Sequence, residues 1–116
     1  MEKLFVPYEI ALQLKEKGFD EFCIGLFNEE GLQYDGEIYS FPFHNSLTKE
    51  GAVDPSIVAA PLYQQVIDWF REKEIRIIEL PHPKLNPPRW ALCVNEEFRG
   101  GFELDKTIQE ALKFIP

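Results

Sequence analysis

The segment from residue 59 to residue 80 passes from a helical pattern to a strand pattern without a spacer, and it constrains the fold more than any other part of the sequence. From Leu62 to Phe70 the apolar residues recur with a period of about 3.6, which predicts a largely buried helix that begins at Pro61. From Ile75 to Leu80 β-branched residues follow directly, which predicts a strand. A domain containing this unit must combine helices with strands.

Two further helices are predicted near the ends of the chain, giving about three in total. The first covers roughly residues 7–17 and ends at Gly18. Its ending places Leu14 and Phe19 as the hydrophobic pair of a Schellman motif. The other is predicted from residue 104 to the end of the chain, where the apolar residues form a single helical stripe.

Extended segments are predicted at residues 22–27, 32–41, 75–80 and 89–95, with a shorter and weaker one at 98–102. In the first of them, Phe22, Ile24 and Leu26 alternate with small or apolar residues, so both faces of that strand are expected to be covered. Two hairpins separated by a helix predict an α+β fold with one largely antiparallel sheet of four or five strands. The predicted order is α-β-β-loop-α-β-β-α.

Length and composition are typical of one globular domain, residues 1–116. Hydrophobic residues make up 45% of the chain, which is enough for an independent core. No apolar run approaches the roughly 18 residues of a membrane span, and Pro7 interrupts the N-terminal segment before the apolar core of a secretion signal can form. Cys23 and Cys93 are far apart in sequence, which suits a reducing compartment, so a cytoplasmic protein is expected.

The chain is acidic, with a formal net charge of −8. A negative field of this kind repels phosphate backbones, so nucleic-acid binding is not expected. Acidic pairs occur at predicted turns, at residues 20–21, 29–30 and 96–97. They are interpreted as solvated loop tips, with a negative face for a basic partner as the sharper reading. An acidic mimic of nucleic acid would instead require carboxylates spaced along one face.

Three segments carry a resemblance to known sequences: residues 60–73, Gly-Phe-Asp-Glu-Phe-Cys at 18–23, and Ile-Gln-Glu-Ala-Leu-Lys at 108–113. Together they resemble a family of small proteins of unknown function encoded in phages and mobile elements of gut bacteria. The most specific part is Tyr-Gln-Gln-Val-Ile-Asp-Trp-Phe at 63–70. The resemblance spans most of the chain and implies an intracellular role linked to a phage or mobile element. It transfers no activity, ligand or catalytic residue.

Few residues suggest catalysis or metal binding. The two histidines, His44 and His82, and the two cysteines have separations that match no structural zinc pattern, so no metal or other cofactor is expected. Glu79 lies among apolar residues of its strand and is interpreted as a solvent-facing strand end. The alternative to a binding function is a small hydrolase-like enzyme whose site is assembled in the fold from His44, Glu79, His82 or Cys93.

The leading hypothesis is a non-enzymatic module that binds another protein. Residues 42–60 show no sustained period but are too apolar for a free linker, and long loops of this kind are often functional. The predicted binding surface therefore joins this loop to the start of the central helix and the surrounding acidic surface, at Phe43, His44, Tyr63 and Gln64. The proline-rich segment 81–88 is interpreted as a stiff connection, with partner docking as its alternative. The sequence leaves the oligomeric state open.

Overall fold

The computed structural model of the protein describes residues 2–34, 45, 57–80 and 88–116. The chain divides into two compact units, Met1–Tyr63 and Gln64–Pro116. The described residues form three α-helices and two separate three-stranded antiparallel sheets, which confirms the α+β class and the predicted number of helices. The prediction that residues 1–116 fold as a single domain stays a prediction.

The first unit contains one α-helix and one sheet among its described residues. These elements are α1 (Tyr8–Glu16), β1 (Gly25–Asn28), β2 (Gly31–Tyr34) and β3 (Val58–Ala60). The strand order is β2-β1-β3, and α1 lies against β3. The strand β3 has β1 beside it and α1 against it, and all three of its residues are buried.

Helix α1 ends in the predicted Schellman motif. Gly18 has a φ of +92°, in the left-handed region that glycine adopts without steric cost. Phe19 N–H donates to the Leu14 carbonyl at 2.9 Å, and Gly18 N–H donates to the Lys15 carbonyl at 3.1 Å. Leu14 and Phe19 are both buried, so the hydrophobic pair closes the end of the helix as expected.

The second unit holds the central helix, a hairpin meander and the last helix. Its elements are α2 (Tyr63–Glu72), β4 (Ile75–Glu79), β5 (Trp90–Val94), β6 (Glu97–Phe102) and α3 (Leu104–Leu112). The first residue of α2, Tyr63, is the last residue of the first unit. The strand order is β4-β5-β6, and α3 contacts all three strands. The predicted passage from helix directly into strand is present between α2 and β4.

The prediction of one sheet of four or five strands is wrong, and so is the predicted order of elements. Each predicted hairpin acquires its own third strand, because β3 pairs with the free side of β1 and β6 pairs with the free side of β5. The strand β3 falls in the segment interpreted as an irregular loop. With three residues, all buried, it has no alternation for a periodicity argument to detect.

The first predicted strand also begins later than expected. Phe22 and Ile24 are 60% and 46% exposed, so their side of the segment is not covered, and regular pairing begins only at Gly25. At Gly25 a side chain would collide with the ring of Phe5, since an added Cβ would lie 2.8 Å from its Cε1. The close approach of that ring leaves no room for a side chain at this position.

Helix α2 begins at Tyr63, two residues after the predicted start at Pro61. The Pro61 carbonyl accepts a hydrogen bond from Val6 N–H at 3.1 Å, and Leu62 forms an isolated antiparallel bridge with Phe5. These two residues are therefore held in extended pairing by the N-terminal segment. The predicted second strand matches the structure over β2, and its remaining residues, 35–41, lie outside the described part of the chain.

Candidate interaction surface

The sheet of the second unit has one face that packs against α3 and one that is partly exposed. Ile75, Ile77 and Leu92 are buried on the face that packs with α3, whose own buried residues include Ile108 and Ala111. Successive residues of a strand point to opposite faces. The other face, here named the outer face, therefore carries the side chains of Arg76, Ile78, Ala91, Cys93 and Phe98.

A row of three side chains crosses the outer face. Arg76 pairs with Cys93, and Cys93 pairs with Phe98, so the three lie side by side across the sheet. Phe98 is 69% exposed and Ile78 is 41% exposed, whereas Cys93 between the outer strands is half-buried. The outer face thus presents an exposed aromatic ring and an aliphatic side chain beside a guanidinium group.

A cleft of about 590 Å³ opens at the hairpin end of this face. It is lined by residues from the end of α2, the α2–β4 turn, the neighbouring strands and the β5–β6 turn: Arg71, Glu74, Arg76, Cys93, Asn95 and Glu96. Its volume is within the range of small-ligand pockets, roughly 300–1,000 Å³. All of its lining residues belong to the second unit.

The backbone around this cleft is strained. Glu74, Asn95 and Glu96 have φ values of 63°, 52° and 67°, and they are the only non-glycine residues with positive φ in the described part of the chain. Asn95 and Glu96 form the two-residue turn between paired Val94 and Glu97, where positive φ at both positions defines a type I′ turn. A left-handed conformation costs a residue such as Glu about 1–2 kcal/mol. Strain of this kind is concentrated at functional sites more often than elsewhere.

Two arginine side chains, Arg71 and Arg76, line the cleft, and they differ in whether they form an ion pair. Arg71 lies 3.8 Å from Asp68 in an exposed ion pair, which contributes little to stability. Within the described ranges Arg76 forms no ion pair, although it is exposed and lies next to the Cys93 thiol in the sheet. Arg76 can therefore bind a carboxylate or another acceptor of a partner without breaking an ion pair within the described ranges.

The binding residues predicted from the sequence are placed only in part. Tyr63 is the first residue of α2 and is half-buried. Gln64 is exposed, and its amide Nε2 donates to Asp68 Oδ1 at 2.9 Å along the helix. Phe43 and His44 lie outside the described residues, so the surface predicted on the segment 42–60 stays a prediction.

Two residues of the alternative hydrolase site are described, and the structure does not bring them together. Glu79 is the last residue of β4, is exposed as expected, and lies on the same side of its strand as Ile75 and Ile77. Cys93 lies on the outer face, opposite to that side. His44 and His82 lie outside the described residues. Among the described residues no group of three or more His, Cys, Asp or Glu side chains is arranged to hold a metal ion.

The second thiol of the chain has a different environment. Cys23 is 1% exposed, and its Sγ donates a weak hydrogen bond to the Glu21 carbonyl at 3.4 Å. Burial, with a smaller contribution from the Glu21 carboxylate, raises the pKa of Cys23 to about 12. This thiol therefore stays protonated and packs as a small apolar group.

Sequence reasoning missed the outer face and its cleft. Two signals in the sequence coincide with the cleft. The first is a helix that passes into a strand without a glycine, at Glu74. The second is a two-residue turn without glycine, at Asn95 and Glu96. Neither pattern resembles a known motif, so only the folded structure shows that these two turns lie beside the same cleft.

Comparison with known proteins gives no relative for this fold or sequence. No protein-family model, curated protein or solved structure matches the chain. Across the described helices, none combines the length and apolar character that crossing a bilayer requires.

Proposed function

We propose that this protein is a non-enzymatic protein-interaction module that binds its partner through the outer face of the second unit. The observation that carries the proposal is Phe98, which is 69% exposed near the start of β6, on a sheet whose other face packs against α3. Aromatic side chains and arginine are enriched at the centres of protein interfaces. Phe98 and Arg76 stand at opposite ends of one row on this face.

The chemistry of the surface favours a protein partner over nucleic acid. The net charge of −8 opposes binding to a phosphate backbone, while an exposed ring and an exposed isoleucine gain free energy when a partner excludes water from them. Arg76 is positioned to bind an acidic or carbonyl group at the edge of that contact. The partner expected is a protein with an apolar patch bordered by a carboxylate.

The cytoplasmic location and the phage or mobile-element context belong to the same proposal. They rest on the sequence resemblance and on the predicted reducing environment of the two thiols. In that context the partner is a protein of the host or of the mobile element itself.

Affinity purification from host lysate with matched variants tests the proposal. Phe98→Ser removes the exposed ring, whereas Phe22→Ser removes a ring of comparable exposure, 60%, from the first unit. We expect the wild type and Phe22→Ser to recover the same protein at physiological salt and Phe98→Ser to recover at least tenfold less. Equal recovery by Phe98→Ser, or no specific protein with folded wild type, contradicts the proposal.

A further inference from the structure

The alternation of hydrogen-bonded and non-hydrogen-bonded pairs in the second sheet determines which backbone N–H and C=O groups of β6 point toward its free edge. Leu80 N–H donates to the Arg89 carbonyl at 2.8 Å, at the end of the β4–β5 pairing. In an antiparallel ladder, hydrogen-bonded and non-hydrogen-bonded pairs alternate, so Cys93, four residues after Arg89, also directs its backbone groups toward β4. The residues on either side of Cys93 then direct their backbone groups toward β6.

Those residues are Leu92 and Val94, and their partners in β6 are Arg99 and Glu97. These are hydrogen-bonded pairs, as a two-residue turn between Val94 and Glu97 also requires. Phe98 lies between them, so its N–H and C=O point away from β5, at the free edge of the sheet. Within the described part of the chain these two groups accept and donate no hydrogen bond.

We propose that β6 pairs antiparallel with β6 of a second copy of this chain, with the twofold axis at Phe98. The two Phe98 residues then exchange both of their backbone hydrogen bonds across the axis. On the neighbouring non-hydrogen-bonded positions, Glu97 of each copy lies directly opposite Arg99 of the other. Side chains at such positions are the closest across an antiparallel pair, and opposite charges there are stabilising.

The charges of β6 select this register over its neighbour. An axis at Arg99 would place the two Arg99 side chains against each other, which is destabilising. Both Glu97 and Arg99 are exposed, and the Arg99 guanidinium carbon lies 5.4 Å from the centroid of the Phe114 ring, on the α3 side of the sheet. The self-complementary sequence Glu97-Phe98-Arg99 is therefore ready to pair with itself.

The predicted interface is short, so the dimer should be weak and concentration-dependent. Gly101, with a φ of +87°, is the extra residue of a bulge where β6 pairs with Trp90 and Ala91, and it ends the regular edge. Pairing is thus confined to the first half of β6. It brings the two Phe98 rings together on a continuous outer face.

Sedimentation equilibrium of the purified chain tests this inference at protein concentrations from about 10 µM to 1 mM and about 0.15 M salt, where the Debye length is about 8 Å. We expect wild type to show a monomer–dimer equilibrium. Glu97→Arg and Arg99→Glu each replace two attractions by two repulsions, so each should weaken dimerisation at least tenfold. The double variant E97R/R99E exchanges the charges and should restore it.

Phe114→Leu is the matched control, because it removes the contact with Arg99 but leaves both charges, and it should dimerise as wild type does. Circular dichroism establishes that each variant is folded. A wild type that stays monomeric at 1 mM, or a double variant no better than the singles, overturns the inference. Glu97→Arg keeps Phe98, so recovery of the lysate partner by this variant separates the proposed partner binding from self-association.

Discussion

The side-chain amide of Asn45 donates a hydrogen bond of 2.7 Å to the backbone carbonyl of Phe19, 26 positions earlier in the chain. The carbonyl oxygen of the same side chain accepts the Ala59 N–H at 2.9 Å. Asn45 is buried, so one amide satisfies two buried backbone groups, one after the end of α1 and one in β3. Buried polar groups of this kind are costly when they lose their partner.

Replacing Asn45 by Ala should therefore destabilise the protein strongly. The carbonyl of Phe19 and the N–H of Ala59 would both lose the hydrogen bond that Asn45 provides, and we expect a loss of about 2–4 kcal/mol in the free energy of unfolding. Urea unfolding followed by circular dichroism measures it.

The same substitution at Asn28 provides the comparison. Asn28 Oδ1 accepts the Glu30 N–H at 2.8 Å in an exposed turn, where water can replace it. Asn28→Ala should cost less than about 1 kcal/mol. Equal costs at the two positions would show that Asn45 does not connect α1 to β3.

Local signals in the sequence predict local structure well in this protein. The end of α1 was predictable because Gly18, Phe19 and Leu14 lie within a few residues of one another, and their geometry is self-contained. The role of Asn45 was not predictable. Asn45 itself lies in a segment without periodicity, and its partners Phe19 and Ala59 lie 26 and 14 positions away. Only the folded chain brings the three residues together.

The sheet arrangement shows the same limit. Alternation identified the hairpin strands, but β3 is too short to alternate, and its pairing with β1 is a long-range event. The outer face was hidden for another reason. In the sequence Cys93 lies within the apolar run 90–94, whereas its neighbours across the sheet are the exposed residues Arg76 and Phe98. Sequence patterns assign residues to strands but do not say which face a helix covers.

A larger residue at Gly25 should destabilise the protein while Phe5 keeps its ring. An alanine Cβ there would lie 2.8 Å from Phe5 Cε1 and 3.3 Å from the Gln33 carbonyl oxygen. The Phe5 ring is itself buried and packs against Tyr34, with ring centroids 5.3 Å apart. We expect Gly25→Ala to cost about 1–3 kcal/mol, measured by thermal or urea unfolding.

A double-mutant cycle with Phe5→Leu tests the cause. The smaller side chain makes room for the new methyl group, so the double variant should be more stable than the sum of the single effects predicts, by at least about 0.5 kcal/mol. Additive effects would place the strain of Gly25→Ala elsewhere.

Glu74 is a position where glycine should stabilise the protein. Glu74 lies just after the end of α2 and has a φ of 63°. Its N–H donates a hydrogen bond to the Arg71 carbonyl at 3.0 Å. Glycine adopts this conformation without the Cβ clash, so Glu74→Gly should raise the free energy of unfolding by up to about 1 kcal/mol.

Glu72 supplies the control for this substitution, since it is the last residue of the same helix and has no positive φ. Glu72→Gly should destabilise by about 0.5–1 kcal/mol, because glycine weakens a helix through its backbone entropy. Opposite signs for two identical substitutions two residues apart would establish the strain at Glu74. If both substitutions destabilise the protein, Glu74 is not strained.

The two thiols should react at very different rates in the folded protein. Burial raises the pKa of Cys23 to about 12, so at pH 8 only roughly one molecule in ten thousand carries the reactive thiolate there. Cys93 is half-buried and lines the cleft beside Arg71 and Arg76, within reach of reagents. A disulfide reagent that releases a coloured thiolate should therefore modify one thiol per native chain quickly at pH 8, and the second far more slowly until the chain is denatured.

Variants assign the two phases and give the pH dependence its sign. Cys93→Ser should abolish the fast phase, and Cys23→Ser should leave it unchanged. Since the folded-state pKa of Cys23 lies above its ordinary value of 9.0, its modification in native Cys93→Ser should rise about tenfold for each pH unit above 8. A Cys23 thiol that reacts at pH 8 as fast as it does in the unfolded chain would refute its burial and with it the packing of the first unit around β1.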